Sequence, residues 1–179
     1  MAPHLAYPRS FAVALMCAAA LTPISTVAST PDPVKLAIFD FEFEDMSAAA
    51  SAGDIAASDS QHLAEVTSSV RDLFEQSGHY NLVDVGSADA AEVKARSLRK
   101  CDGCDAAIAQ QLGAEQSFVG VVKRITRTEY TVRYQIRDAS TGAVLSSADS
   151  GLRMGADYSW SRGAVRLIKD RLLEKQSQQ

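Results

Sequence analysis

Two cysteines three positions apart, Cys101 and Cys104, sit mid-chain between Lys100 and an alanine-rich stretch that ends at Gly113. A Cys-x-x-Cys pair suits a structural disulfide, an exchangeable disulfide or half of a metal site. The neighbours narrow the choice. A thioredoxin-like motif follows the first strand of a βαβ unit, whereas this pair follows a helical pattern. Asp102 and Asp105 place negative charge beside the sulfurs, which disfavours a thiolate. Asp105 also stands where haem attachment requires a histidine. Zinc needs two more ligands, and beyond the first segment only His62 and His79 could supply them. The expectation is a disulfide, Cys101–Cys104, at the mouth of a short helix, with Asp102 and Asp105 as helix-start residues.

Two charge clusters are the other candidates. Asp40, Glu42 and Asp45, with Glu44, could converge on a hard cation. The cluster lacks the backbone-carbonyl and tight-glycine pattern of a cation loop, so it reads as a solvated strand end and no metal is expected. Lys123, Arg124, Arg127, Arg133 and Arg137 crowd two neighbouring strands, with Arg153 nearby in sequence. The plain reading is the solvated side of a half-covered antiparallel sheet. The functional reading is a partner-binding face formed by Arg124, Arg127, Arg133 and Arg137. Nucleophilic triads, phosphate loops and dinucleotide fingerprints are missing, so the chain is expected to be no enzyme and to need no cofactor.

The elements that must position these residues follow from the hydrophobic pattern. Residues 34–43 read as a first strand, with Phe39, Phe41 and Phe43 on one face and Asp40, Glu42 and Glu44 on the other. Residues 45–60, rich in Ala, Ser, Gly and Asp, read as a loop. From Asp59 onward Leu63, Val66, Val70, Leu73 and Phe74 repeat at helical spacing until Gly78. A strand over 80–85, a helix over 87–98 and the short helix after the cysteines come next. Strands over 116–125, 129–138 and 143–153 follow, the last two joined by the turn at 140–142. A final helix carries Trp160, Ala164, Leu167, Ile168 and Leu172 on one side. The order β-α-β-α-α-β-β-β-α predicts an α/β domain, with one mixed sheet of about five strands, a carboxyl-terminal antiparallel meander and helices packed on it.

The amino terminus sets the compartment. Arg9 precedes the apolar run 11–21, and small and polar residues fill 22–30, the layout of a secretory signal. That run is shorter than the roughly 20 residues a membrane span needs. Cleavage is expected after Ala28, discarding Cys17, and leaves a domain over 29–176 with a frayed tail at 177–179. The periplasm is oxidising, which favours the disulfide. With 46% hydrophobic and 22% charged residues the chain is globular rather than disordered, and its formal charge of -4 argues against nucleic-acid binding.

Lys35 to Asp45, Cys101-Asp-Gly-Cys104, Leu112-Gly-Ala114, Arg137 to Gly142 and Ser159 to Gly163 together resemble a family of uncharacterised secreted proteobacterial proteins classed as a domain of unknown function. The opening strand, long helix and late meander are also similar to the curli-secretion lipoprotein, the lipoprotein activators of penicillin-binding proteins and the amino-terminal domain of the Tol propeller protein. The resemblance implies an envelope interaction module rather than an enzyme, and this chain lacks a lipid-anchor cysteine. The expected function is therefore a periplasmic accessory protein with an envelope protein partner. A thiol-disulfide redox role for Cys101 and Cys104 is the alternative, and cation or small-ligand binding at Asp40, Glu42 and Asp45 the weaker one.

Overall fold

The apolar run at 118–122 becomes the middle of β4 (Gln116–Arg124), the strand on which the sheet is built. The computed structural model describes residues 32–47, 57–86, 93, 97–126, 128–150 and 160–176. One edge of β4 pairs in parallel with both β1 (Val34–Ile38) and β2 (Glu42–Asp45), while its other edge pairs antiparallel with β5 (Tyr130–Asp138). On the outside β1 pairs in parallel with β3 (Tyr80–Val83), and β5 pairs antiparallel with β6 (Val144–Asp149). The mixed α/β architecture thus holds, with six strands in the order β3-β1-β4-β5-β6 and β2 beside β4.

Helices cover the two faces unequally. On the first face lie α1 (Ala57–Ser77) and α3 (Trp160–Ile168), the latter running on through a π-helical stretch, Lys169–Leu173. Their apolar stripes, Leu63, Val66, Val70 and Phe74 on one and Trp160, Ala164 and Ile168 on the other, close over Leu36, Ile38, Phe118, Val132 and Ile136. Phe118 stacks on Tyr134 and meets Phe74 edge-on, so this core is locked by ring geometry as well as by area. The helix spacing expected for α1 is realised, and Gly78 ends it with φ +69°, a conformation that costs glycine nothing. Among the described residues the second face carries α2 (Cys104–Gln111), a 3-10 turn, Leu98–Lys100, and Val93 over Ala37, Phe39, Val119 and Val121. Most of β5 and β6 on this side has no helix above it among the described residues.

The expected first strand over 34–43 is two strands. Leu36 pairs with Gln116 and Ile38 with Phe118, but Glu42 pairs with Val121, so residues 39–41 face only Val119 and Gly120. One extra residue is therefore inserted, a bulge that reverses the alternation. Before it, Leu36 and Ile38 face the first core. After it, Phe41 and Phe43 do, while Phe39 packs in the second core with Val119. Phe39 and Phe41 consequently lie on opposite faces, which corrects the single phenylalanine face read from the sequence. Gly120 makes the bulge possible, because the Phe41 ring occupies the space a Cβ would need there. The Phe41 N–H, turned away from the ladder, is taken by Thr67 Oγ1 at 3.0 Å.

The strand read over 80–85 ends at Val83, and the last expected strand begins at Val144. Leu98 lies in the 3-10 turn rather than at a helix end. The signal segment, most of the loop over 45–60, most of the helix over 87–98 and the tail lie outside the described residues.

Candidate functional site

The bulge aims Glu42 at the second face, and there it organises the cysteine segment. Its carboxylate accepts the Leu98 N–H, the Arg99 N–H at 3.3 Å, the Ser97 hydroxyl at 2.9 Å and Arg99 Nη1 at 2.7 Å. These bonds satisfy the unpaired N–H groups at the start of the 3-10 turn, a need every helical start has. Immediately afterwards Cys101 and Cys104 form the disulfide, with Cα atoms 5.7 Å apart. Gly103, at φ +91°, stands just before α2, and no side chain caps that helix.

Asp102 and Asp105 do not serve as helix caps. Asp105 is buried, accepts the Ser117 hydroxyl at 2.6 Å and lies 3.7 Å from Arg137 Nε. Asp102 accepts Arg137 Nη2 at 3.1 Å, and Arg137 Nη1 donates to the Gly142 carbonyl at 2.8 Å. Positive φ at Gly103 lets the chain turn so that both carboxylates point across the sheet. The disulfide loop is thereby fastened to β4 through Ser117, to β5 through Arg137 and to β2 through Glu42.

The acids read as weak metal candidates are held apart. Asp40 pairs with Arg71 at 3.1 Å, Glu42 with Arg99, and Asp45 with Arg124 at 3.1 Å. Among the described residues no three His, Cys, Asp or Glu side chains are grouped to hold a metal ion. The arginines divide likewise. Arg124 is turned to the first face, bonded to Asp45, to Asp59 at 2.7 Å and to the Tyr130 hydroxyl at 3.0 Å, with its guanidinium 4.8 Å from the Phe43 ring centre. Arg137 holds the disulfide loop, and Arg127 lies outside the described residues. Arg133, half-buried on the second face, makes no hydrogen bond or ion pair with any described residue.

A cleft of about 400 Å³ opens around Arg133. Leu98, Arg99, Val119, Val121 and Asp149 line it with Arg133. A larger cleft of about 580 Å³ lies at the carboxyl ends of β1 and β3, where Arg71 is bonded to the Ile38 carbonyl at 3.0 Å as well as to Asp40. Nothing local in the chain marks Glu42 as the anchor of the cysteine segment, because the residues joined are 55 to 57 apart.

The model of the DUF3280 family, described as "Protein of unknown function (DUF2380)", matches residues 34–172. The chain belongs to that family. The match to DUF3280 runs from β1 to Leu172, so the bulge, the disulfide loop, the second core and all of the first core but Leu173 lie within it. A search of curated proteins finds no match. Among solved structures, the hypothetical protein CT253 from Chlamydia trachomatis is similar at 12% identity and a TM-score of 0.50, over 81% of this chain and 95% of that one. The LpoB C-terminal domain from Salmonella enterica is similar at 17% identity and a TM-score of 0.49, over 68% and 83%. TolB from Acinetobacter baumannii is similar at 16% identity and a TM-score of 0.44, over 74% and 26%. At such identities the likeness is one of fold alone. No helix among the described residues is long and apolar enough to cross a membrane.

Proposed function

We propose that this DUF3280 protein is a non-enzymatic accessory protein of the periplasm that binds a protein partner through its second sheet face. The observation that carries this reading is the contrast among its charges. Arg71, Arg99, Arg124 and Arg137 are each held by neighbouring acids, while Arg133 lines a cleft on the second face and makes no hydrogen bond or ion pair with any described residue. Arg124 and Arg137 then act as structural fasteners, and among the described members of the expected partner-binding set Arg133 is left to meet another molecule. The secretory layout of residues 9–28 supports the compartment.

Photo-crosslinking in cells tests the reading. A crosslinking residue at Gln135, which also lines the cleft, should give a discrete protein adduct in the periplasmic fraction. The same residue at Glu65, exposed on α1, should give none. Retention of the protein in the cytoplasm, or equal labelling from both positions, would defeat the proposal.

A redox role is the second reading. It is favoured by Cys104 standing as the first residue of α2, where the helix dipole stabilises a thiolate. It is opposed by the partly buried sulfurs and by the two ion pairs that fix the loop around them.

A further inference from the structure

Arg133 is the charged group on the second face without a hydrogen bond or ion pair to any described residue. Every neighbouring charge on the second face has a partner. Glu42 is bonded to Arg99, Glu44 to Lys123 at 3.1 Å, and Asp149, the cross-strand neighbour of Arg133, has an interaction of its own. Arg133 reaches Glu44 only as a charge at longer range. A half-buried guanidinium carries five N–H donors, and leaving them unmatched costs free energy unless water or a ligand accepts them.

We propose that the cleft is a binding site for a carboxylate, the side chain of a glutamate in the partner, received by the Arg133 fork. This rests on the docking reading above and names the chemistry of its anchor. Two considerations select the ligand class. The planar fork of arginine matches a carboxylate in two parallel hydrogen bonds. Asp149, the cross-strand neighbour of Arg133, penalises a second negative charge, which disfavours a phosphate dianion. Arg99, already neutralised by Glu42, forms a fixed positive wall whose position depends on the disulfide loop two residues further on.

The probes are the blocked tripeptides Ac-Ala-Glu-Ala-amide and Ac-Ala-Gln-Ala-amide and inorganic phosphate, titrated into the full folded protein while the arginine Nε–Hε resonances are followed by NMR. The glutamate peptide should shift the Arg133 resonance saturably and bind at least about tenfold more tightly than the glutamine peptide. Arg133→Gln should abolish the difference between the peptides. Arg133→Lys, which keeps the charge but loses the fork, should retain it only in part. Equal binding of the two peptides, an unchanged preference in Arg133→Gln, or tighter binding of phosphate would each overturn the assignment. A Gln135 crosslink that persists despite such a failure would leave the docking face standing and refute its carboxylate anchor alone.

Discussion

A carboxylate that accepts two backbone N–H groups, a serine hydroxyl and a guanidinium has little left to offer a substrate, and Glu42 is in that position. Its side chain and that of Arg99 are both 17% exposed, so removing one leaves the other poorly solvated. Glu42→Gln is expected to destabilise the fold by about 2 kcal/mol, read as a lower urea midpoint with an unchanged slope. Other acids set the pH response. The Ser140 hydroxyl, then the Thr141 N–H and hydroxyl, hold Asp138 down at about 2. Burial pushes Glu44 up, but the Lys123 ammonium with Arg133 and Arg99 outweighs it and leaves the group below its ordinary value. A carboxyl lowered by folding stabilises the native state above its unfolded pKa, and that contribution is lost as pH falls through the folded value. Stability should therefore fall from about pH 4 towards pH 2, and Asp138→Asn should make that fall shallower in urea titrations at stepped pH. At this scale the sequence was readable for residue types but not for partners. Asp102 and Asp105 looked like helix caps because of where they stand, and only the turn at Gly103 directs them to Arg137.

Between elements, the bulge at residues 39–41 decides which side chains share a face. It turns Glu42 towards the disulfide loop and Phe41 towards α1, and it depends on Gly120 leaving room for the Phe41 ring. Gly120→Ala should cost about 2 kcal/mol or more through overpacking, and Phe41→Leu in the same chain should return part of that loss, a coupling that a double-mutant cycle measures. Deleting Asp40 should be milder, because it removes the extra residue, brings Phe41 opposite Gly120 in unbroken alternation and leaves Phe41 and Phe43 on the first face. That variant should stay folded by circular dichroism while losing the Asp40–Arg71 ion pair. The strands, α1 and α3 were legible because their periods are long and clean. The bulge was not, because Phe39, Phe41 and Phe43 alternate perfectly in sequence and nothing local marks an inserted residue. Its only trace is Gly120, on a different strand.

For the whole molecule, the two cores are unequal partners. The first, between the sheet and α1 with α3, holds most of the large buried side chains. The second is thin, and the disulfide loop supports it from three strands at once. A bridge closing so short a loop removes little chain entropy, so Cys101→Ala with Cys104→Ala should lower stability by only about 2 kcal/mol and leave the fold intact. The same change should weaken peptide binding at Arg133, because Arg99 would lose its fixed position. Chain order and sheet type could be read from the sequence, as could the family. The proposed docking face could not, because it rests on ion pairs between distant residues that hold every other described arginine of the set the sequence put forward.

The central claim is that Cys101–Cys104 fastens a binding face and does not exchange electrons. Equilibrating the protein with thiol redox buffers and measuring the reduction potential of that bond tests it most directly. The account predicts a value below about -300 mV, the range of structural disulfides. A value between about -120 and -230 mV, where oxidoreductases work, would contradict it and make the redox reading the better one.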